Sequence, residues 1–209
     1  MLVDINIISN SMMSMKTSAL PFAKNILDIG AGEGRFIKQY PYVDTNITLL
    51  DQEESEFGCF EECKKNNTDK RFTYVTGMSN DMSMFEDDSF DMIHLSQVIE
   101  HIPVDQLDVS MREIRRVLKP GGLFCMSTPN RDVRKEVGNY LANEFHVQEF
   151  INSELLDLYN RHNFTILENI GITKIDVGKL LMNQLYCEPE KGYQIWITAT
   201  KPEIKEDIE

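Results

Sequence analysis

The sequence predicts an α/β fold, a doubly wound and mostly parallel sheet of seven strands with an antiparallel last strand and helices on both faces. Three observations predict it. Short apolar runs alternate with amphipathic stretches at the spacing of βαβ units. The first run ends in a glycine cluster, Gly30, Gly32 and Gly34, and the second stops abruptly on an acid, Asp51.

The elements follow in order. Ile26 to Ile29 reads as the first strand, and after the glycine turn Phe36, Ile37 and Tyr40 recur at helical spacing until Pro41 stops the helix. Ile47 to Leu50 is the second strand, Glu54 to Asn66 a polar helix, Phe72 to Val75 the third strand and Phe90 to Leu95 the fourth. Pro103 precedes a helix over Val104 to Leu118. That helix closes on Lys119, Pro120, Gly121 and Gly122: a basic last turn, a proline stop and a glycine turn. Leu123 to Ser127 is the fifth strand. Beyond Thr128 the order changes to a polar segment, a helix opened by Ser153 and Glu154 that runs to Arg161, and strands at Phe164 to Glu168 and Tyr193 to Thr200. These late strands are expected as an antiparallel edge. Gly171 to Gly192, long for a hairpin and carrying Leu180, Leu181 and Leu185, reads as a helical insertion.

A chain of 209 residues predicts one domain, 1–203, with 1–24 as leader and cap and 204–209 as a disordered tail. Hydrophobic residues make up 42% and charged residues 26%, and no apolar run approaches the roughly 20 residues of a membrane span, so a soluble protein with no membrane partner is expected. The start MLVDINIISNSMMSMK lacks a basic segment followed by an apolar one, which predicts a cytoplasmic location. A net charge of −13 disfavours nucleic acid, whose binding needs a basic surface that displaces counterions. Cys59, Cys63, Cys125 and Cys187 form no CxxC pair and are read as reduced thiols; no motif calls for a metal.

In an open α/β sheet, ligands bind beyond the carboxyl ends of the strands at the switch point, where Gly30, Gly32, Gly34 and Asp51 fall. Glycines let backbone approach a ligand, and a carboxylate ending the second strand can accept hydrogen bonds from both hydroxyls of a ribose. An adenosine-containing ligand fits. The dinucleotide fingerprint needs a small third residue, but that position holds Arg35 while the glycine stands at Gly34, which argues against a nicotinamide cofactor.

Several blocks in order resemble the class I S-adenosylmethionine-dependent methyltransferases. The likeness is to the small-molecule group that includes ubiquinone-biosynthesis O-methyltransferases and natural-product and sugar methyltransferases. NILDIGAGEGRF (Asn25 to Phe36) looks like the family's first motif and LLDQ (Leu49 to Gln52) like its acidic strand end. DDSFDMIHLSQVIEHIP (Asp87 to Pro103) resembles the fourth-strand block, and EIRRVLKPGGLFCMSTPNR (Glu113 to Arg131) the fifth. FHVQEF (Phe145 to Phe150) is a weaker match to a late region. The resemblance implies a Rossmann-like fold and S-adenosyl-L-methionine as cofactor, with S-adenosyl-L-homocysteine as product. It implies Asp28, Gly30, Ala31 and Gly32 beside the methionine portion, Asp51 on the ribose and Gln52 beside the adenine. The adenine also meets the loop after the third strand, where the acidic residue is displaced relative to the family; Asn80, Asp81 and Met82 are the assignments there. Ser96 and Gln97 form the floor between cofactor and acceptor.

The expected reaction is in-line attack of an acceptor oxygen or nitrogen on the sulfonium methyl. A hydroxyl acceptor needs a base, with His101 and His146 as candidates; an amine does not. His94, inside a strand, and His162, ending a late helix, read as structural. Glu100 and Glu149 could orient a histidine or bind a cationic acceptor, although exposed carboxylates are the commoner reading in a chain with 34 acids. Arg112, Arg115 and Arg116 read as a solvated helix face, and Met12, Met13 and Met15 as either a lid or a loose leader. The cover over the acceptor is expected from 128–152, from 171–192 or from a second subunit in a homodimer. The acceptor is expected to be a small molecule, a natural-product intermediate or sugar, with a peptide or protein as runner-up. A catalytically silent S-adenosylmethionine-binding partner is the reading of a different class.

Overall fold

The computed structural model of the protein describes residues 23–32, 44–52, 64–65, 70–136, 138, 144–177 and 180–203, with backbone alone over 174–177 and 180–186. Most of the expected leader, the helix after the first strand, most of the helix at Glu54 to Asn66 and the tail 204–209 lie outside the described residues. So do Gly34, Arg35, Met12, Met13, Met15, Cys59 and Cys63.

The strands are β1 (Asn25–Ile29), β2 (Asn46–Asp51), β3 (Phe72–Thr76), β4 (Phe90–Ser96), β5 (Leu118–Pro129), β6 (Thr165–Val177), β7 (Leu180–Tyr186) and β8 (Gln194–Thr200). They form one sheet in the order β3-β2-β1-β4-β5-β8-β6-β7. β1 to β5 pair in parallel, and β8 enters antiparallel between β5 and β6. The seven-stranded, Rossmann-like pattern is therefore present, with β7 added outside β6 as an eighth strand. The order reverses between β1 and β4, so the carboxyl ends of β1, β2 and β4 flank the crevice where such sheets bind ligands.

The helical insertion expected over Gly171 to Gly192 is overturned. β6 continues to Val177 and β7 returns beside it, pairing antiparallel from Gly171↔Tyr186 to Val177↔Leu180. The β-branched residues Ile170, Ile172, Thr173, Ile175 and Val177 carry the strand preference. The leucines at 180, 181 and 185 have helical spacing only by coincidence.

The described helices are α1 (Val104–Val117), α2 (Arg131–Glu136) and α3 (Asn152–Arg161). Leu107, Met111, Ile114 and Val117 of α1 and Leu155, Leu158 and Tyr159 of α3 pack on Leu27, Ile29, Ile93, Leu95, Phe124 and Ile197. The opposite sheet face buries a second cluster, including Ile26, Leu49, Met92, Cys125 and Trp196. The period-2 alternation of β1, β4, β5 and β8 divides their side chains between the two faces. β5 begins earlier than expected, at Leu118. Its partner register jumps from Phe90↔Leu118 to Met92↔Leu123, so Lys119, Pro120, Gly121 and Gly122 form an irregular stretch inside the strand.

Arg116 corrects the reading of a solvated helix face. Its guanidinium donates to the carbonyls of Met82 and Phe85 and to the carboxylates of Asp87 and Glu113, clamping the loop after β3 onto α1. Arg112 is exposed as expected.

Candidate active site

The turn after β1 is built by backbone. Gly30 and Ala31 donate to the carbonyl of Leu50 at 2.8 and 3.3 Å, joining the ends of β1 and β2. Gly30 (φ +68°) and Gly32 (φ +51°) both occupy the left-handed region, which costs an ordinary residue roughly 1 kcal/mol or more. A Cβ on Gly30 would come within 2.3 Å of a Val98 methyl, whereas a Cβ on Gly32 would meet open space. Val98, which follows the floor residues of β4, thus seats directly on the glycine turn; nothing in its sequence context marked it.

Asp51 ends β2 at 8% exposure. Its Oδ2 accepts from the Gly32 amide at 2.5 Å and its Oδ1 from the Gln52 amide at 2.8 Å. Burial pushes its pKa up, the two amides oppose that rise, and the charge of Asp28 adds to it. Each oxygen keeps acceptor capacity beyond its one bond, which suits a vicinal diol. Gln52 is exposed at the rim.

Asp28 is buried, and its Oδ1 lies 2.7 Å from Nδ1 of His94. Its Oδ2 is buried without a hydrogen-bond partner. His94 is therefore structural in the sense expected, but its place is specific: it holds the first acid of the glycine motif.

The loop after β3 starts beside Asp51, whose carbonyl accepts from Gly77 at 2.9 Å. It is tied to α1 by Ser79 to Ser110 at 3.0 Å, Asn80 to Gln106 at 2.7 Å and the Met82 amide to Glu113 at 3.0 Å. Asp81 is exposed, while the Met82 side chain is fully buried in the core. At the end of β4, Ser96 Oγ lies 2.6 Å from Ser127 Oγ. Gln97 takes φ +58°, with its amide on the Ser127 carbonyl and its side chain on Ser127 Oγ and Gln194. A non-glycine residue held there by three hydrogen bonds, two to Ser127 and one from Gln194, marks a position whose geometry is enforced.

Beyond the floor, a 3-10 turn (Ile99–His101) carries Glu100 and His101. The segment after α2 packs on it: Val147 and Gln148 donate to the Glu100 carbonyl, and Gln148 Nε2 donates to the Ile102 carbonyl. That packing brings His101 and His146 together, ring centroids 4.9 Å apart and planes at 87°. His101 Nδ1 lies 3.0 Å from the Phe145 carbonyl, and His146 Nδ1 lies 2.8 Å from Glu149 Oε1. Burial lowers the His101 pKa, the Phe145 carbonyl opposes this, and His146 lowers it further.

Glu100 and Glu149 overturn the exposed-carboxylate reading, at 0% and 2% exposure. Thr128 donates to Glu100 Oε2 at 2.9 Å, and Arg134 Nε lies 3.2 Å from Glu149 Oε1. Burial pushes the Glu100 pKa up to about 7, against hydrogen bonds from its own backbone and Thr128, with Glu149 raising it and Arg134 lowering it. The apolar neighbours of Glu100 in VIEHIP were the sequence signal for its burial. Thr128 and Arg134 carried none. His162 sits apart, 2.8 Å from Asp108.

The fold and the turn geometry define a Rossmann-like domain with a crevice at the carboxyl ends of β1, β2 and β4. Residues 27–126 match the family model described as a methyltransferase domain. The chain is 28% identical over 151 residues to a probable S-adenosylmethionine-dependent methyltransferase of Mycolicibacterium smegmatis, covering 71% of this chain and 55% of that protein. It is 23% identical over 191 residues to a tRNA N(3)-cytidine methyltransferase of Gallus gallus (82% and 49%). It is 28% identical over 115 residues to a ubiquinone biosynthesis O-methyltransferase of Vibrio parahaemolyticus (54% and 47%). The chain thus spans about half the length of these curated relatives. Its fold is that of a Burkholderia thailandensis 1,6-didemethyltoxoflavin-N1-methyltransferase crystallised with S-adenosylhomocysteine, at TM-score 0.63 and 18% identity over 96% of this chain and 80% of that one. These matches identify residues 27–126 as a methyltransferase domain, and the relative named for its cofactor is S-adenosylmethionine-dependent.

Proposed function

We propose that the protein transfers a methyl group from S-adenosylmethionine to an oxygen or nitrogen of a small-molecule acceptor in the cytoplasm. The observation that carries this reading is the turn from Val98 to His101. Val98 packs on Gly30, and the His101 amide donates to the Val98 carbonyl at 2.9 Å, so one turn joins the cofactor loop to the paired histidines.

The residues fit the cofactor. A Cβ on Gly30 would strike Val98, so the turn admits no side chain at that position. The Asp51 carboxylate is fixed by two amides, and Asp28 keeps a buried oxygen without a partner. Gly30, Ala31, Gly32 and Asp28 would hold the methionine portion, Asp51 the ribose, and Gln52, Asn80 and Asp81 the adenine side, while the buried Met82 anchors their loop in the core. When bound, S-adenosylmethionine supplies an electrophilic methyl group.

The chain's own residues then position and deprotonate the acceptor. Ser96 and Gln97 form a rigid floor, which lets the nucleophile be held near 3 Å and in line; such positioning supplies roughly 7 kcal/mol or more of a barrier. With Nδ1–H donating to the Phe145 carbonyl, His101 is in the tautomer whose basic nitrogen is Nε2. Its lowered pKa keeps it neutral and ready to do so. His146, oriented by Glu149, is the second base or acceptor-orienting group.

The net charge of −13 supports a small acceptor over RNA, although one relative is named for tRNA. Transfer of labelled methyl groups to a panel of phenolic, sugar and amine metabolites, with bulk tRNA in parallel, tests the reading. Turnover of a small metabolite supports it; transfer to tRNA alone overturns the acceptor class.

A further inference from the structure

Asp28 of β1 and His94 of β4 stand in direct register across the parallel ladder. Alternation along the strands puts them on the same sheet face as Ile26, Met92 and Trp196. Both are buried, at 3% and 5% exposure, and His94 Nδ1 lies 2.7 Å from Asp28 Oδ1. A carboxylate oxygen accepts, so Nδ1 carries the hydrogen. The imidazole in turn lies against the Trp196 ring, with centroids 6.5 Å apart.

A directional bond to one oxygen fixes the rotation of a carboxylate, and with it the direction of the other oxygen. That other oxygen, Asp28 Oδ2, is buried and has no hydrogen-bond partner among the described residues. Asp51 adds a second carboxylate at the end of the neighbouring strand, close enough for the charge of Asp28 to raise its pKa. A buried carboxylate oxygen in such company is costly unless a cationic or protic group comes to it. Only Ile29 separates Asp28 from the Gly30 turn, so this oxygen stands at the root of the cofactor loop. S-adenosylmethionine carries two positive groups, the sulfonium, which is lost on transfer, and the α-ammonium, which S-adenosylhomocysteine keeps.

We propose that His94 is a positioning residue for cofactor recognition. By holding Asp28 Oδ1 it presents Oδ2 to the α-ammonium, directly or through one water, and makes binding selective for ligands that carry that amine. His94 acts through Asp28 rather than by touching the cofactor. The proposal rests on the S-adenosylmethionine reading of the glycine turn.

The test is calorimetric titration of the full chain with three ligands. These are S-adenosylhomocysteine, its desamino analogue with hydrogen in place of the amino group, and methylthioadenosine, which lacks the whole amino-acid portion. Wild type is expected to prefer S-adenosylhomocysteine to the desamino analogue by about tenfold or more, the effect of a hydrogen bond to a charged group. In His94→Leu that preference should vanish while methylthioadenosine binds as before. His94→Asn, whose amide can still donate to Asp28 Oδ1, should restore most of it, and Asp28→Asn should lose it. Circular dichroism identifies a variant that fails to fold, and His94→Phe, a ring without the donor, then takes the place of His94→Leu. A preference that survives His94→Leu, or a loss of equal size for all three ligands, overturns the proposal. Binding of S-adenosylhomocysteine by wild type with either of those results removes the role of His94 alone, whereas no binding by wild type removes the methyltransferase reading with it.

Discussion

Val98 lies so close over Gly30 that a single added Cβ would come within 2.3 Å of its methyl group. The end of β4 and the turn after β1 are thus fitted to each other, and the cofactor crevice depends on that fit.

Gly30→Ala meets both this contact and a φ of +68°. Overpacking of this kind costs about 1–3 kcal/mol, and the strained backbone adds to it. S-adenosylhomocysteine affinity is expected to fall by more than tenfold, read by calorimetry. Gly32→Ala has open space in place of the clash and should lose less; equal losses at the two positions would contradict the packing argument.

His101→Ala removes the group assigned to take the proton. With a hydroxyl acceptor, kcat is expected to fall about 100-fold or more while S-adenosylhomocysteine binding is unchanged. Because burial and His146 hold the His101 pKa below its ordinary value, wild-type kcat/KM should already be on its plateau at neutral pH and fall only on the acid side. An acid limb centred above pH 7 would count against His101 as the base.

Glu100 gives a stability prediction with a definite sign. Its folded-state pKa of about 7 stands above the ordinary glutamate value of 4.5, so the folded protein binds a proton that the unfolded chain has released between those pH values. Stability is intact below pH 4.5 and falls as pH rises through 7, by roughly 3 kcal/mol in total. In chelating buffer, Glu100→Gln should unfold at a higher temperature than wild type at pH 8 and at the same temperature at pH 5. The groups facing Glu100 are Thr128, His101, His146, Glu149 and Arg134. A variant no more stable than wild type at pH 8 would contradict the raised pKa of the buried Glu100 carboxylate.

Arg116→Ala frees the loop that carries Asn80, Asp81 and Met82. Charged hydrogen bonds to two carbonyls are lost, a cost of about 1–3 kcal/mol. Thermal unfolding should shift down by several degrees and S-adenosylhomocysteine should bind more weakly; unchanged affinity would show that the loop does not contribute to the cofactor site.

The parts of the molecule that were legible in the sequence are those fixed by local chemistry. Gly30, Gly32 and Asp51 each sit at a strand end, where conformational need and hydrogen bonding leave few residue choices. The pairing of His101 with His146 depends on how 144–150 packs against the turn at Glu100, a long-range contact no periodicity reports, so both residues were singled out but their proximity was not. Burial of Glu100 and Glu149 was missed because a carboxylate looks the same in sequence whether solvated or enclosed. The β6–β7 hairpin was misread because leucines at helical spacing outweighed the β-branched run before them. Arg116 was misread because the loop it clamps is distant in the chain.

The most direct test is calorimetric titration of the purified protein with S-adenosylhomocysteine and, in parallel, with NADH, repeated on Asp51→Ala. Binding of S-adenosylhomocysteine and not NADH, weakened by about 1 kcal/mol or more in Asp51→Ala, is the predicted result. No binding, or a preference for NADH, would contradict the methyltransferase account and leave the α/β fold alone.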